Sequence, residues 1–513
     1  MDKTFYITTP IYYPSAKPHM GHAYSSIIAD FFARFKIIDD YQVHFLTGTD
    51  EHGLKIQRSA ERAGKEPLVF CDQISQTFRD LSDTLNLSNT DFIRTTEARH
   101  KKTVQHLWNE LEKNDDIYLS NYSGWYSVSD EAFYNEDEIE ELDGKKIAIS
   151  SKSPVEWIEE ESYFFRLSKW EKPLLEYYEA NPDFISPQSR KNEVISFVKS
   201  GLKDLSVSRK SFSWGIPVPN NKNHVIYVWL DALTNYLSAL NYPNKDDDLF
   251  KKFWPASIHL IGKDILRFHA VYWPAFLLAA KIDLPKRVYG HGWILSGEEK
   301  MSKSKGNILD PLEIIKEYGL DPLRYYLIKE VSFGNDGNIS QERLEDCINS
   351  DLANNYGNLC QRVTAFAIKN CNGKIPLEVK FHDEDLLILN KYKDNLDNIR
   401  SQIDNQNINF YIDYIVNSLF EANKYFNDQE PWKKKDDKIR LNTIVYTTLE
   451  IVRKISFLLY PIIPESSLKA LKIFDIEEKN IKLDSVSNNE YLTKGNNINK
   501  IDILFKKIEK NND

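Results

Sequence analysis

Short apolar runs alternate with amphipathic stretches along the first hundred or so residues of the chain. Residues 5–9 (FYITT) and 43–47 (VHFLT) have the length and the β-branched content of strands. Residues 23–38 and 54–62 repeat their apolar positions at helical spacing, and the second of these stretches stops before Gly64. Because strands that alternate with helices indicate parallel pairing with crossover connections, this region predicts an α/β fold built on a parallel sheet.

The pattern changes near residue 115. Residues 121–133 are rich in turn-forming and aromatic residues, acidic segments follow them, and helical patterns run from about 163 to 203. Sheet-like runs then return three times, at 224–229, 258–262 and 288–292. From residue 351 onward, long amphipathic stretches with few strand signals predict an all-helical region. We therefore expect an α/β region that is split by an insertion and followed by a helical region.

Composition and charge narrow the class of protein. A chain of 513 residues predicts about three domains. Its net charge of −10 is unusual for a protein that binds nucleic acid, but residues 351–513 are neutral, with 24 basic and 24 acidic residues. The four cysteines show no paired spacing, no run of about 18 apolar residues occurs, and the segment MDKTFYITTP lacks the apolar core of a signal peptide. These features predict a reduced, cytoplasmic protein without a membrane span.

Two histidines and a glycine lie where the first predicted strand passes into the first predicted helix. The segment 18–22 reads PHMGH. A helix N-terminus directs unpaired N–H groups outward, and a histidine can donate a hydrogen bond to a phosphate oxygen, so this junction is a candidate phosphate site. Taken alone, a turn that carries two surface histidines explains the segment equally well.

A second segment combines small residues with alternating lysines. Residues 300–307 read KMSKSKGN and precede a predicted helix at 311–318. A lysine ammonium is a point charge that can follow the negative charge developing on a leaving phosphate group. Taken alone, the segment also fits a solvated basic loop.

Together, the HxGH junction and the KMSKS loop about 280 residues later form a specific pair. The chain resembles class I aminoacyl-tRNA synthetases, in which the two motifs hold ATP from opposite sides while an amino acid is adenylated. Further stretches resemble the methionyl branch of that family: TTPIYYPSAKPHMGHAY, GTDEHG, GWYSVSDEAFY, YVWLDAL, GKDILRFHAVYWPA, GHGWILSGEEKMSKSKGN and QEPWK.

The resemblance implies an organisation and a reaction. The expected fold is a Rossmann-type nucleotide-binding domain with a connective insertion, followed by a helical-bundle anticodon-binding domain. We predict the first half of the catalytic fold at 1–114, the insertion at 115–225, the second half at 226–299, the KMSKS loop with a stem-contact region at 300–350, and the anticodon-binding domain at 351–513. The implied reaction activates L-methionine with ATP to methionyl-adenylate and pyrophosphate. It then transfers methionine to the 3′-terminal adenosine of methionine tRNA, both initiator and elongator.

The resemblance also implies a pocket for a flexible side chain with a polarizable sulfur. Aromatic rings make favourable contacts of about 0.3–1.5 kcal/mol each with such a sulfur. Asp50 would be the counter-ion of the substrate ammonium group. The other implied pocket residues are Pro10, Ile11, Tyr13, Trp229, Ala232, Leu233, Tyr236, Ile265 and His269. For Trp229 and Tyr236, which lie seven residues apart on a helical stretch, ordinary core packing is the alternative explanation.

The catalytic residues follow from the same resemblance. His19 and His22 would stabilise charge on the phosphates, and Mg²⁺ would help neutralise the leaving pyrophosphate. The lysines implied in that neutralisation are Lys300 and Lys303. The further implied ATP-binding residues are Gly21 against the adenine, Asp264 on the ribose hydroxyls, Gly262 and Gly292. No nucleophilic serine or cysteine is required, because positioning and electrostatics carry most of such a transfer.

Three residues of the helical region are implied to read the methionine anticodon. Asn358 and Arg362 are four residues apart and therefore share a helix face, and Trp432 follows Pro431 at the start of another predicted helix. An aromatic ring that stacks on a base, with polar side chains at the base edge, is how single-stranded RNA is recognised. An exposed arginine and a tryptophan at a helix contact are also common without such a role.

The insertion departs from the family pattern. Many relatives carry a zinc knuckle with Cys-x-x-Cys after a Gly-Trp-Tyr run, whereas this chain has Ser127 and Asp130 at the two ligand positions. No cysteine occurs between Cys71 and Cys347, and a structural zinc site needs about four Cys or His ligands. We predict a metal-free knuckle that is held by Trp125, Tyr126, Phe133 and Tyr134.

Three other classes of protein share part of this sequence pattern. Another class I synthetase is possible in principle, but the insertion of about 110 residues is too short for the editing domain of the branched aliphatic types. Small nucleotidyltransferases share HxGH but lack the helical region and the distant KMSKS segment. A non-catalytic tRNA-binding paralogue would be expected to have lost its catalytic residues. Because the chain leaves no room for a further C-terminal domain, we expect a monomer.

Overall fold

The computed structural model describes residues 3–130, 132–142, 144–296, 299–300 and 310–509. It divides into two compact units. The sheet unit comprises residues 4–18 and 43–291, and the helical unit comprises the described parts of 1–3, 19–42 and 292–513. Within the described ranges, no helix is long and apolar enough to cross a membrane.

The helices and strands follow one another in chain order. Up to residue 142 they are β1 (Thr4–Thr8), α1 (Met20–Ile38), β2 (Gln42–Thr49), α2 (Leu54–Arg62), α3 (Pro67–Thr84), β3 (Asp91–Arg94), α4 (Ala98–Lys113), β4 (Ile117–Ser127), β5 (Ala132–Tyr134) and β6 (Ile139–Leu142). From 145 to 300 they are β7 (Lys145–Ala148), β8 (Glu156–Phe165), α5 (Glu171–Ala180), β9 (Ile185–Ser186), α6 (Gln188–Lys199), β10 (Leu205–Ser206), β11 (Ser208–Arg209), β12 (Pro217–Val218), β13 (Asn221–Ile226), α7 (Val228–Leu233), α8 (Asn235–Ser238), α9 (Asp248–Phe253), β14 (Ile258–Gly262), α10 (Trp273–Ala279), β15 (Val288–His291), β16 (Ile294–Ser296) and β17 (Glu299–Lys300). The remainder are α11 (Pro311–Tyr318), α12 (Leu320–Glu330), β18 (Gly337–Asn338), α13 (Gln341–Cys347), α14 (Asn358–Asn370), α15 (Asp383–Asp394), α16 (Leu396–Asp404), α17 (Ile408–Asp428), α18 (Lys438–Leu459) and α19 (Pro464–Leu471).

A six-stranded sheet forms the centre of the sheet unit, in the order β3-β2-β1-β14-β15-β9. Pairing is parallel between β1 and β14, β14 and β15, β15 and β9, and β2 and β3. The central strands β1 and β14 are buried along most of their length, and Tyr6, Ile7, Leu260 and Ile261 are fully buried. Such continuous burial on both faces is typical of a parallel sheet covered by helices. The predicted α/β fold is confirmed.

The run 224–229 was expected to return to the sheet, and this expectation is wrong. Strand β13 ends at Ile226, and helix α7 begins at Val228. Moreover, β13 pairs antiparallel with β11 and β12 in a separate three-stranded sheet. A short continuous apolar run has no periodicity that would separate a buried strand from a buried helix. Trp229 therefore lies on helix α7 and not on a strand.

The helical pattern predicted from about 163 is also wrong at its start. Strand β8 extends through Tyr163 to Phe165 and pairs antiparallel with β4 over ten residue pairs, from Ile117 opposite Phe165 to Tyr126 opposite Glu156. This long ladder outweighs the local helical signal, since strand preference depends on cross-strand neighbours.

Strand β9, inside the predicted insertion, joins the edge of the six-stranded sheet beside β15.

The helical unit contains helix α1 together with the C-terminal helices. The buried carboxylate of Asp30 on α1 accepts hydrogen bonds from Arg34 at 2.8 Å and from Arg324 on α12 at 2.6 Å. The ring of Tyr411 on α17 contacts the rings of both Phe31 and Phe35 of α1, with centroids 5.5 Å away in each case. Residues 351–509 are predominantly helical, as predicted.

Candidate active site

The predicted site residues are distributed over both units. The residues predicted to bind methionine lie in the sheet unit, as do Gly262 and Asp264. The helical unit contains His19, Gly21, His22, Gly292 and Lys300. The backbone of Lys300 in β17 pairs with Leu295. Lys303 lies outside the described residues.

The two histidines of the HxGH motif hold each other in place at the start of α1. His19 is the N-cap, and its Nδ1 accepts a hydrogen bond from the backbone N–H of Gly21 at 3.1 Å. The Nδ1 of His22 accepts one from the backbone N–H of His19 at 3.1 Å, and the two ring centroids are 3.8 Å apart. Because Nδ1 accepts in both rings, each neutral imidazole carries its proton on Nε2 as a donor. Two such donors at a helix N-terminus suit an anionic ligand.

Close packing at the start of α1 affects both the protonation of His22 and the size of the residue that position 21 can hold. Burial, and secondarily the neighbouring His19, hold the pKa of His22 well below its usual value, so His22 is neutral at pH 7. A Cβ on Gly21 would lie 3.0 Å from Cε1 and 3.2 Å from Nδ1 of His19. A side chain at position 21 would therefore displace the capping ring.

Gly292 and Gly262 also lie where a side chain lacks room. A Cβ on Gly292 would be 2.1 Å from the backbone oxygen of Asn335, so packing of the chain explains this glycine without a ligand. A Cβ on Gly262 would be 2.6 Å from Oδ1 of Asp264. Asp264 is exposed, as a ribose ligand must be, and Gly262 keeps the space beside its carboxylate open.

Four of the residues predicted to bind methionine form one cluster of contacts. The ring of Trp229 stacks on Phe268, with centroids 3.6 Å apart and planes 6° from parallel. The hydroxyl of Tyr236 is 2.7 Å from Nε2 of His269, and Nδ1 of His269 is 3.0 Å from the carbonyl oxygen of Ile265. A carbonyl only accepts, so His269 carries its proton on Nδ1, and Nε2 accepts from the hydroxyl of Tyr236.

Burial decides the charge of this cluster. It lowers the pKa of His269 to about 4, so the imidazole is neutral at pH 7. Burial likewise raises the pKa of Tyr236. The cluster is therefore polarizable, aromatic and uncharged, which suits an uncharged thioether.

Among the other residues predicted to bind methionine, Leu233 belongs to the same hydrophobic core as Tyr236, and Ile11 and Tyr13 pack against it. Ala232 and Leu233 are buried, whereas Pro10 is half-buried. The partly buried residues that pack against one hydrophobic core containing Leu233 and Tyr236 include Ile11, Tyr13, Trp229 and Ile265. The structure thus brings residues from two distant parts of the sequence to a common core.

Asp50 is held beside the segment that carries Ile11 and Tyr13. Its backbone N–H donates to the carbonyl oxygen of Tyr12 at 2.9 Å, and the N–H of Tyr12 donates to Gly48 at 2.8 Å. Asp50 is 7% exposed. An acidic group at this position can pair with the ammonium group of an amino acid whose side chain enters the uncharged cluster.

The three residues predicted to read an anticodon lie on and beside helix α14. Arg362 donates to Oδ1 of Asn427 at 2.6 Å, and its guanidinium lies 5.6 Å from the ring centroid of Phe426. The ring of Trp432 contacts Phe426 at 6.2 Å and is 40% exposed. Asn358, the first residue of α14, is exposed. The structure brings Arg362 and Trp432 together on Phe426.

Two family models together match most of the chain. Residues 5–142 and 138–364 match the model described as tRNA synthetases class I (M), and residues 375–513 match the anticodon binding domain of methionyl tRNA ligase. The methionine–tRNA ligase of Brucella suis is 50% identical over 474 residues, which is 92% of each chain. That of Rickettsia felis is 49% identical over an alignment of 527 positions, which covers 99% of each chain.

The chain belongs to the methionyl-tRNA synthetase family of class I. The structure of Mycobacterium tuberculosis methionyl-tRNA synthetase in complex with methionyl-adenylate matches with a TM-score of 0.95 at 46% identity, covering 98% of this chain and 99% of that chain. The apo form of that synthetase matches with a TM-score of 0.89 at 42% identity, covering 99% of each. The predicted family and enzyme class are confirmed.

The segment predicted as a metal-free knuckle contains a hydrogen-bonded cluster that the sequence did not reveal. The carboxylate of Asp130 accepts from the hydroxyls of Tyr134 at 2.8 Å, Ser153 at 2.8 Å and Ser151 at 2.5 Å. Among the predicted aromatic residues, the ring of Trp125 packs edge-on against Trp157 at 5.2 Å. The side chain of Phe133 lies outside the described part. In that part, no group of three or more His, Cys, Asp or Glu is arranged to hold a metal ion.

Sequence reasoning missed two further features of the site. Phe268, which stacks on Trp229, precedes His269 in the motif GKDILRFHAVYWPA and could have been found there. His259 on β14 stacks on Tyr236 with centroids 4.1 Å apart, and its Nδ1 contacts Thr8 at 2.9 Å. No spacing signal links these positions, because the contacts form across the sheet.

Proposed function

We propose that this chain activates L-methionine with ATP and transfers the methionyl group to the 3′-terminal adenosine of methionine tRNA. The observation that carries the proposal is the uncharged aromatic cluster of Trp229, Tyr236 and His269, with acidic Asp50 held on the neighbouring segment. Membership of the methionyl-tRNA synthetase family supports it. So does the similarity to a synthetase solved with methionyl-adenylate.

In the activation step, the carboxylate of methionine attacks the α-phosphorus of ATP and pyrophosphate leaves. Asp50 pairs with the ammonium group and so orients the attacking carboxylate. The Nε2–H groups of His19 and His22 donate to phosphate oxygens and stabilise the charge that develops on them. Mg²⁺ bound to ATP would supply further neutralisation of the phosphate charge.

The remaining ATP contacts are assigned by their position in the family motifs. Lys300 and Lys303 neutralise the leaving pyrophosphate. Gly21 lies against the adenine, and Asp264 accepts hydrogen bonds from the ribose hydroxyls beside Gly262. Gly292 contributes through the backbone, since its position admits no side chain.

In the second step, a hydroxyl of the terminal ribose of the tRNA attacks the acyl carbon of the adenylate, so that the methionyl ester forms and AMP leaves. Trp432 offers an exposed ring on which an anticodon base stacks, while Asn358 and Arg362 bond to base edges. The anticodon-binding role of this region is supported by its match to the anticodon domain of methionyl tRNA ligase.

The knuckle folds without zinc in this proposal. Asp130, at a position where relatives have a metal-binding cysteine, joins the turn after β4 to β5 through Tyr134. It joins the same turn to the loop after β7 through Ser151 and Ser153. These hydrogen bonds link the segments that metal ligands would otherwise hold together. A monomeric state and the predicted segment boundaries remain predictions, which sedimentation equilibrium and limited proteolysis can check.

Two substitutions of His22 test the catalytic assignment in methionine-dependent ATP–pyrophosphate exchange. His22→Gln places an amide nitrogen near the position of Nε2 and keeps a donor for phosphate, whereas His22→Asn has no donor there. We expect His22→Asn to lower kcat by about 10²–10³, and His22→Gln to retain clearly more activity. Methionine affinity should be unchanged in both. Equal losses in the two variants would contradict the role of the Nε2–H group, and no methionine-dependent exchange by the wild type would contradict the function.

A further inference from the structure

A buried carboxylate with two histidine partners lies outside the predicted set of site residues. Asp231 on α7 is fully buried. Its Oδ2 is 2.6 Å from Nδ1 of His52, and its Oδ1 is 2.7 Å from Nε2 of His100. Both histidines are buried as well, with exposed fractions of 2% and 0%. A buried carboxylate is costly unless it is fully hydrogen-bonded, so these three side chains depend on one another.

The cluster joins three separate elements of the sheet unit. Asp231 lies on α7, two residues after Trp229. His52 lies in the connection between β2 and α2, two residues after Asp50. His100 lies on α4, where its Nδ1 contacts the hydroxyl of Ser238 on α8 at 3.0 Å. The carboxylate therefore links the helix that carries pocket residues to the loop that carries the counter-ion of the ammonium group.

The orientation of His52 follows from this bond. A carboxylate oxygen only accepts, so Nδ1 of His52 carries a proton. The backbone oxygen of His52 accepts from the hydroxyl of Tyr13 at 3.1 Å, and its ring packs edge-on against Trp214 at 5.5 Å. The loop is thus held through both the ring and the backbone of His52. Although burial alone would raise it, the two histidines lower the pKa of Asp231 to about 2, so the carboxylate stays ionised.

We propose that Asp231 is a positioning residue for methionine binding, which acts through His52 to hold the Asp50 loop in register with helix α7. The proposal rests on the proposed function, since it concerns the same substrate. A shift of the loop relative to the helix would separate the group that pairs with the ammonium from the rings that receive the side chain. Because both ends of methionine are then misaligned, affinity for methionine should fall while affinity for ATP is retained.

Isosteric variants separate positioning from substrate contact. In Asp231→Asn the amide nitrogen only donates, so one imidazole loses its acceptor. His52→Asn places an amide nitrogen at the position of Nδ1 and can still donate to Asp231, whereas His52→Ala cannot. We expect Asp231→Asn and His52→Ala to raise the Kd of methionine at least about tenfold, and His52→Asn to stay within about threefold of wild type. Isothermal titration calorimetry with methionine and with ATP measures both affinities, and the Kd of ATP should stay within about twofold.

Asp116→Asn is the matched control. Asp116 is also buried in the sheet unit, where it lies in the connection between α4 and β4, and its carboxylate pairs with Lys169 at 2.7 Å. This variant should leave the Kd of methionine unchanged. The proposal is overturned if Asp231→Asn binds methionine as wild type does, if Asp116→Asn weakens binding equally, or if His52→Asn loses as much as His52→Ala, which would make His52 a direct ligand. A wild-type protein that binds no methionine would overturn the proposed function as well. Normal methionine-dependent ATP–pyrophosphate exchange by the wild type, together with an unchanged Kd of methionine in Asp231→Asn, would overturn this inference alone.

Discussion

Acidification should lower the free energy of unfolding, because the buried ring of His269 takes up a proton less readily in the folded protein than in the unfolded chain. Burial holds the pKa of His269 at about 4 in the folded protein, against 6.5 as its ordinary value. Between these values the unfolded chain binds more protons than the folded protein, so the free energy of unfolding falls as the pH falls. The whole difference corresponds to about 3.4 kcal/mol. From pH 7 to pH 5, the part contributed by His269 is about 2 kcal/mol.

Comparison with His269→Gln isolates this contribution. Glutamine can accept the hydrogen bond of the Tyr236 hydroxyl but does not titrate, while other buried histidines, such as His44 and His259, remain in both proteins. Urea unfolding at pH 7 and pH 5 gives the loss of stability for each protein. The wild type should lose about 2 kcal/mol more than the variant on acidification. An equal loss in the two proteins would refute the neutral buried imidazole, and with it the uncharged pocket.

Three further outcomes are expected. Trp432→Ala should lower kcat/KM for methionine tRNA at least about tenfold, because it removes a stacking platform worth about 1–3 kcal/mol. Adenylate formation should be unchanged. Equal losses in aminoacylation and in pyrophosphate exchange would count against an anticodon role. Asp30→Ala should lower the free energy of unfolding by about 3–5 kcal/mol, because it leaves the guanidiniums of Arg34 and Arg324 buried without their carboxylate, and an unchanged denaturation midpoint would contradict this. Exhaustive chelation should leave the melting temperature unchanged, whereas Asp130→Ala should lower it; stoichiometric zinc in elemental analysis would overturn the metal-free knuckle.

The parts of the fold that sequence predicted are those with a local signal. Helix α1, strand β14 and helix α11 were expected from apolar spacing and turn residues within each element. The HxGH and KMSKS segments were recognisable because each motif lies within a few consecutive residues. Strand β8 and the boundary between β13 and α7 were missed, since these depend on partner strands and on burial.

The supporting contacts of the site could not be read from spacing. Asp231 and His100 are 131 residues apart in the chain, and Asp231 and His52 are 179 apart. Neither pair shows a periodicity, and each residue type alone is common in a core or at a surface. The cluster on Asp130 likewise joins residues 21 and 23 positions apart through side-chain hydroxyls. Only the fold brings such groups within hydrogen-bond distance.

Aminoacylation of methionine tRNA with each of the twenty amino acids in turn tests the selectivity for methionine most directly. We expect methionyl-tRNA to accumulate with methionine, and no comparable charging with leucine, isoleucine, valine or any other amino acid. The uncharged cluster of Trp229, Tyr236 and His269 and the acidic Asp50 account for that outcome. Equal charging with a second amino acid, or no charging with methionine, would contradict the assignment of methionine as the substrate.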